Sequence, residues 1–398
     1  MGDSLEKPAL ALAFYATKTY TGFGFRTLPY ALLLTLLLVI PWVLLASGNV
    51  AGQSRTWARQ FGTSWPDHAN DVATDEAGNV FLVGQTGGVL PGQSRQGGLS
   101  DAYLRKYDGE GNELWTRQFG GQGDVGAQDV AADDFGNVYV VGNTAGNFPS
   151  GIIVGGISGA FLRKYSQDGA EVWERQFGVE NFASANGVDV DIEGNVYVAG
   201  QVEGALHGQI GAGFNDAFLR KYDGEGRMLW TVQFGTEGGD FATDVAVDGD
   251  GNVYVVGWSR SEQTGQFNAI SIQTFVHKFD GDGQRLWARQ LDAEGFDRAT
   301  GVVVDIQRNA YVVGWISGVL PGQSQFGGTD GFLAKYAADG ELSWIRQFGT
   351  RDEDRAVGIG IDGDGSLYAV GWTTGFSPPR PRYLPAASLY VKTLRTEV

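Results

Sequence analysis

The chain has 398 residues, a formal net charge of −17 at pH 7 and no cysteine. Its acidic balance argues against nucleic acid as a partner, because such binding needs a basic surface. The lack of cysteine excludes disulfides, thiolate metal sites and a cysteine nucleophile. Glycine accounts for 62 residues, yet 42% of the chain is hydrophobic and 12% aromatic, which indicates a folded protein whose glycines separate short elements.

Residues 30–46, YALLLTLLLVIPWVLLA, form an apolar segment preceded by Lys7, Lys18 and Arg26. Such a segment is typical of an export signal, with a small-residue cleavage site after Gly48, or of a single retained membrane anchor. The basic flank places the N-terminus in the cytoplasm and the remainder of the chain outside it. We therefore predict a targeting region over 1–48 and an exported domain over 49–398, which is secreted, periplasmic or membrane-anchored.

A long repeat begins after this segment. Six tryptophans recur at intervals of 57 or 58 residues in the same local sequence, namely Trp57, Trp115, Trp173, Trp230, Trp287 and Trp344. A fixed period of this length indicates a repeat architecture.

The fourth copy shows the unit most clearly. Its alternating apolar residues predict four short strands, A to D, at Asp244–Asp248, Asn252–Gly257, Thr274–Phe279 and Arg285–Leu291. Tight Asp-Gly turns separate A from B and C from D, and a loop of about fifteen residues joins B to C. A repeated four-stranded antiparallel meander is a propeller blade.

The two ends of the repeat region give the number of blades. The first repeated element is strand D alone, at 57–61, and the last copy supplies strands A to C at Gly358–Asp362, Ser366–Gly371 and Ser388–Thr393. We therefore predict an all-β, six-bladed β-propeller of four-stranded antiparallel blades, closed by an N-terminal strand joining the last blade, plus one N-terminal hydrophobic helix. A solenoid is the alternative architecture.

Three stretches carry a family resemblance: DAYLRKYDGEGNELWTRQFG at 101–120, DAFLRKYDGEGRMLWTVQFG at 216–235 and DGFLAKYAADGELSWIRQFG at 330–349. Together with the DxxGNVYVVG pattern they resemble the bacterial SBBP β-propeller repeat, and the resemblance extends from about residue 55 to 394. It implies an exported bacterial propeller without an assigned reaction. The family is named for seven blades, whereas this chain has six units.

One aspartate recurs at the start of each A–B turn, at positions 75, 133, 191, 248, 305 and 362. A calcium loop would need further oxygen ligands, and only Asp250 and Asp364 add a second carboxylate. We interpret these aspartates as turn residues and predict no metal site. The A–B and C–D turns share one face of a meander, so that face should be acidic and solvated.

The opposite face carries the long B–C loops, where a propeller would bind a ligand. Two of these loops nearly match, GGVLPGQS at 87–94 and SGVLPGQS at 317–324. The shared pattern either sets a loop conformation, through its proline and glycines, or serves binding.

An asymmetry at the end of strand B gives the candidate binding residues. Blades 4 to 6 have tryptophan there and blades 1 to 3 have an amide, the residues being Trp258, Trp315, Trp372, Gln85, Asn143 and Gln201. Three indoles on one half of a rim could stack on sugar rings, or could pack between blades. The strand D tryptophans and the glutamines three residues after them are expected to be structural.

No histidine cluster, nucleophile elbow or nucleotide-binding loop is present in the sequence, and no cofactor is expected. We predict a non-enzymatic binding or scaffold propeller, monomeric, with a polysaccharide or protein partner at the cell surface. Its membrane contact would be residues 30–46 if these are not cleaved. The alternative is a polysaccharide lyase or hydrolase that uses channel carboxylates, namely Asp67, Asp240, Asp297 or Asp354.

Overall fold

The computed structural model describes residues 57–148, 158–262, 270–291, 293, 295–375 and 388–394. It has two units, Met1–Phe61 and Gly62–Val398. The predicted targeting segment and hydrophobic helix lie outside the described residues, and within the described part of the chain no helix is long and apolar enough to cross a membrane. Residues 57–61 are described and have no assigned strand, so the strand predicted there is not confirmed.

The second unit is all-β, and its described residues form six antiparallel sheets, five with four strands and one with three. Blade 1 contains β1 (Asp67–Thr74), β2 (Val80–Thr86), β3 (Asp101–Tyr107) and β4 (Glu113–Phe119). Blade 2 contains β5 (Val125–Ala132), β6 (Val138–Thr144), β7 (Gly159–Tyr165) and β8 (Glu171–Phe177). Blade 3 contains β9 (Ala183–Val190), β10 (Val196–Val202), β11 (Asp216–Tyr222) and β12 (Met228–Phe234).

The remaining blades repeat the same meander. Blade 4 contains β13 (Gly239–Val247), β14 (Val253–Glu262), β15 (Ile270–Phe279) and β16 (Arg285–Gln290). Blade 5 contains β17 (Asp297–Val304), β18 (Ala310–Ile316), β19 (Asp330–Tyr336) and β20 (Leu342–Phe348). Blade 6 contains β21 (Asp354–Ile361), β22 (Leu367–Thr373) and β23 (Ser388–Leu394). All six predicted units therefore form sheets, but the sixth has three described strands.

Strand A is longer than the sequence predicts because it contains a bulge. In blade 4 the register shifts between Ala242 and Asp244. The residues before this bulge, from Gly239, belong to the strand but do not share the alternation of apolar residues that follows it. The bulge explains the glycine that ends strand B. A Cβ on Gly257 would overlap the carbonyl oxygen of Phe241. In every other blade the equivalent glycine faces the carbonyl oxygen of the equivalent strand A residue.

The blades are covered on both faces. In β14, Val253, Tyr254, Val255 and Val256 are all fully buried. Val253 and Val255 pack with residues of blade 3, whereas Tyr254 and Val256 pack with residues of blade 5. The A strands of consecutive blades pack against each other from blade 1 to blade 6, which places them innermost, around the channel.

Consecutive blades are also joined by hydrogen bonds at their outer edges. The Trp173 indole N–H donates to the carbonyl oxygen of Gly224 over 3.1 Å, and Arg175 Nε donates to that of Gly226 over 2.6 Å, both in the C–D turn of the next blade. Trp115, Trp230 and Trp287 make the same type of bond. The strand D tryptophans thus have the structural role that we predicted.

The first blade differs from those that follow. Val72 is 41% exposed, whereas its equivalents Val130, Val188, Val245 and Val302 are 4–5% exposed. Each of those four has strand A of the preceding blade packed against its own strand A, a neighbour that blade 1 would gain only by closure of the ring. Closure of the ring by residues 57–61 stays a prediction.

Candidate functional site

The turn aspartates have both carboxylate oxygens engaged by their own turns. Asp248 Oδ1 accepts the backbone N–H of Asn252 over 2.9 Å, while its Oδ2 accepts the Asn252 amide over 3.0 Å and the Tyr254 hydroxyl over 3.3 Å. The same arrangement occurs in the other blades with small variations. Within the described ranges no cluster of three or more acidic or histidine residues is placed to hold a metal ion. These aspartates are turn residues.

On the opposite face, the strand D glutamines fix the conformation of the B–C loops. Gln118 Nε2 donates to Asp101 Oδ2 over 2.7 Å and to the Gly88 carbonyl over 2.9 Å, while its Oε1 accepts the N–H of Leu90 over 2.9 Å. Gln93 of the PGQS motif accepts the backbone N–H of Gln118 over 3.0 Å. Gln233 and Gln347 repeat this pattern in blades 3 and 5. The shared loop motif therefore sets a loop conformation.

The six candidate binding residues lie at the mouth of the channel on this loop face. Each pairs with the second or third residue of its blade's strand A, and together these pairs form a ring of positions. On the aromatic half the pairs are Phe241 with Trp258, Arg298 with Trp315 and Arg355 with Trp372. On the amide half they are His68 with Gln85, Gly126 with Asn143 and Ser184 with Gln201.

The aromatic half forms one continuous stack. Phe241 and Trp258 are stacked at 3.9 Å with an interplanar angle of 16°. The Arg298 guanidinium carbon lies 4.0 Å from the Trp258 ring centre and 5.3 Å from that of Trp315. Arg355 follows, 4.4 Å from the Trp315 ring centre and 5.1 Å from that of Trp372. We refer to these six residues as the Trp–Arg stack.

The three tryptophans are thus brought together, but through arginines that sequence reasoning missed. A signal was present, since only blades 5 and 6 have Arg after the strand A aspartate, at Arg298 and Arg355. All five residues from Trp258 to Trp372 in the stack are half-buried, so each combines packing with a solvent-facing edge. These rings therefore pack beside residues of neighbouring blades, and their role in binding stays a prediction.

The amide half is neutral and is not part of the stack. Asn143 Oδ1 accepts a hydrogen bond from Gln128 Nε2 over 3.1 Å. The Gln85 side chain extends toward Gly126 of the next blade, where a Cβ would meet its amide oxygen at 2.8 Å. The channel mouth therefore has one aromatic, cationic half and one amide half.

The four carboxylates considered for catalysis fix backbone instead. Asp240 Oδ2 and Asp354 Oδ2 each accept the N–H of the threonine four residues earlier over 2.6 Å, and Asp67 Oδ2 does the same. Asp297 Oδ1 accepts the N–H of Thr274 over 2.6 Å. Asp240 and Asp297 are 2% and 0% exposed. Their recurrence therefore reflects backbone contacts at the start of strand A, and the enzyme alternative that named them stays a prediction.

A different set of carboxylates faces the channel. Asp71, Asp129, Asp189 and Asp244 each accept a backbone N–H from strand A of the next blade, at 3.2, 2.6, 2.8 and 2.8 Å. Burial raises the pKa of all four, to about 6 for Asp189 and about 8 for Asp244. Sequence reasoning missed this set because its members occupy two different positions of strand A, and blades 5 and 6 lack them.

A cavity of about 350 Å³ lies beside the last members of the stack. Arg355 and Trp372 line one side, and Thr350, Asp354 and Phe348 line the other. The stack therefore ends next to open space on the loop face.

Fold and repeat define a β-propeller, and comparison with known families agrees. Residues 56–91, 114–149, 229–262 and 343–376 match SBBP, described as a β-propeller repeat. The chain thus contains SBBP-type repeats, as its motifs predicted. The second to fourth of these matches each begin with strand D of one blade and end with strand B of the next.

Two curated proteins are similar to parts of the chain. The regulatory protein FlaEY of Caulobacter vibrioides is 28% identical over 192 residues, covering 43% of this chain and 20% of that protein. An uncharacterised WD repeat-containing protein of Acanthamoeba polyphaga mimivirus is 22% identical over 234 residues, covering 46% and 17%. The chain spans about a fifth of the length of the curated relatives it matches.

Solved structures with a similar arrangement include an ulvan lyase, at a TM-score of 0.45 and 12% identity, covering 79% of this chain and 83% of the lyase. The β-propeller domain of the Trilobed protease from Pyrococcus furiosus has a TM-score of 0.44 and 8% identity, covering 84% and 82%.

Proposed function

We propose that this chain is an exported, non-enzymatic binding propeller that contacts a polysaccharide through the channel mouth and the B–C loops. The observation that carries the proposal is the stack of half-buried indoles on the loop face. Aromatic faces present a large rigid surface that suits the apolar face of a sugar ring, and Arg between them keeps the surface flat and hydrated at its edge. Export and the closing strand at 57–61 belong to the same proposal and rest on the sequence.

The surrounding structure suits such a surface. Glutamine side chains fix the B–C loops on the same face, as with Gln118 and Gln347, so a ligand would meet preorganised loops and lose less entropy on binding. The amide half of the mouth adds neutral donors and acceptors, which suit sugar hydroxyls. The carboxylates first considered for a lyase or hydrolase are buried and hold backbone N–H groups, which favours binding over catalysis.

A glycan array probed with the labelled full chain tests this proposal. We expect binding to one class of polysaccharide, and a loss of roughly tenfold or more in the variant Trp258→Ala/Trp315→Ala/Trp372→Ala, because stacking area is removed. Phe135→Ala is the aromatic control, since Phe135 is 75% exposed in the A–B turn of blade 2, on the opposite face.

Circular dichroism separates the outcomes. A folded triple variant that binds as wild type does would refute the role of the indoles. A triple variant that unfolds would show that they belong to the core, and the platform would then be wrong. Release of unsaturated sugar product by wild type, lost on changing one channel aspartate, would instead establish the enzyme alternative.

A further inference from the structure

The two arginines of the stack have no acidic partner among the residues that the structure describes. Neither Arg298 nor Arg355 lies within 4.0 Å of a described carboxylate, and no side-chain hydrogen bond from either occurs within the described ranges. The Nε–H of each is buried without an acceptor, as it is in Arg163 and Arg220, but those two arginines also donate from Nη1 to a tyrosine hydroxyl over 3.4 Å.

Other arginines in the described blades show what the fold normally provides. Arg163 pairs with Glu171 at 3.1 Å and with Glu174. Arg117 stacks on Trp115, and its Nε donates to the Gly169 carbonyl over 2.6 Å. The terminal N–H groups of Arg298 and Arg355 have no described acceptor, so two neighbouring guanidinium groups are open to an acceptor from outside the chain.

The geometry of the stack sets the kind of acceptor. Each guanidinium carbon lies 4.0 to 5.3 Å from the centres of two indole rings, and a guanidinium stacked on them would present at its edge the planar N–H fork that matches carboxylate and sulfate oxygens. Both guanidinium groups adjoin the same ring, that of Trp315, so they would meet two anionic groups of one ligand. Burial, and then the nearby Arg355 charge, lower the pKa of Arg298, so an anion at this place would relieve an existing repulsion.

We infer that the Trp–Arg stack recognises the carboxylate or sulfate groups of an acidic polysaccharide, with Arg298 and Arg355 as the donors and the indoles as the platform for its sugar rings. The inference rests on the proposed glycan-binding function and names the chemical class of its ligand. A negatively charged polymer would otherwise be repelled by a chain of net charge −17, so its recognition requires a local cationic patch such as this one.

Binding of the full chain to paired polymers tests the inference. Dextran sulfate is compared with neutral dextran, and polygalacturonate with its methyl ester, by calorimetry at two salt concentrations. We expect wild type to bind at least one charged polymer roughly tenfold or more tightly than its neutral partner, with affinity falling as salt rises. The sulfate and carboxylate arms identify which anionic group is preferred.

Variants then locate the site. Arg298→Gln/Arg355→Gln should abolish the preference for the charged polymer, and Arg298→Lys/Arg355→Lys should restore only part of it, because Lys keeps the charge but loses the planar fork. Arg227→Gln/Arg285→Gln removes the same charge from the turn face, where both residues are exposed, and should leave the preference within about twofold.

Each result decides the matter. Equal binding of charged and neutral polymers by wild type would overturn the inference while leaving glycan binding intact. Binding of none of the four polymers, with a blank glycan array, would remove the proposed function as well. Equal losses in the turn-face and stack variants would show nonspecific attraction and overturn the assignment to Arg298 and Arg355. If the Gln variant fails to fold, the wild-type preference and the Lys variant still decide.

Discussion

Tryptophan and arginine meet in two regions of this propeller, with different results. At the outer edge, Arg175 lies 5.2 Å from the Trp173 ring centre, and both residues donate to carbonyl groups of the next blade. At the channel mouth, Arg298 and Trp315 are as close, at 5.3 Å, but the described residues offer the guanidinium no acceptor. The same pair of residue types joins blades in one region and remains available for a ligand in the other.

The largest difference between the two regions should appear on removing an indole. Trp173→Ala deletes a ring that packs against a buried cluster and donates a hydrogen bond, so we expect the free energy of unfolding to fall by about 3 kcal/mol. Trp315→Ala should cost about 1 kcal/mol, because the described ring contacts of Trp315 are with two arginines and not with a buried hydrophobic cluster. Urea denaturation measures both, and equal losses would contradict the comparison.

Asp244 is an intermediate case. The next blade donates one backbone N–H to its carboxylate, but burial still disfavours the charged form of that carboxylate. Its folded-state pKa, raised by burial to about 8 from 3.8, means that the folded chain retains a proton which the unfolded chain releases between these values. The free energy of unfolding should therefore fall as pH rises through this window. In Asp244→Asn that fall should shrink by about 2 kcal/mol, since the amide keeps an acceptor for Val302 N–H and carries no charge. Thermal unfolding from pH 4 to pH 8 measures it, and an unchanged pH profile would refute the role of Asp244.

The smallest effect distinguishes the two kinds of arginine. Arg175→Gln should lower the free energy of unfolding by about 1 kcal/mol, because the carbonyl groups of Gly226 and Glu225 lose their donor. Arg298→Gln should leave it within about 0.5 kcal/mol, because no described acceptor is abandoned. Chemical denaturation of the two variants in parallel provides the measurement, and a larger loss in Arg298→Gln would show that it has a structural partner.

Most of the fold was predictable because each blade repeats the same local signals. The alternation in NVYVVG and the Asp-Gly turns placed β14 within one residue at its start and β16 within one residue at its end. The first residues of strand A were missed, because the bulge at Ala242 and Asp244 interrupts the alternation on which such a prediction depends. The closing strand was inferred from motif order alone, and pairing between distant segments is the part of a fold that local pattern does not determine.

The site was only half predictable, for a related reason. The tryptophans stand out because they break the sixfold repeat. Trp258, for example, occupies the position at which blade 3 has Gln201. The arginines stand in strand A, away from the tryptophans in sequence. Strand pairing places Arg298 opposite Trp315 of its own blade, and the packing of neighbouring blades places it beside Trp258. The carboxylates Asp67 and Asp240 looked functional because they recur, but each accepts the backbone N–H of the threonine four residues earlier, as in blade 6.

The hydrogen bonds from the outer strands C and D of one blade to the next blade share one direction along the chain. Lys164, Trp173 and Arg175 of blade 2 donate to the C–D turn of blade 3, and the same residue types of blade 1 donate to blade 2. A blade that emerges first therefore exposes donors that only its successor can satisfy. If the blades fold in order from the N-terminus, each completed blade presents donors to which the C–D turn of the next blade binds. A chain that crosses a membrane with its N-terminus first would therefore fold its blades in the order in which they emerge.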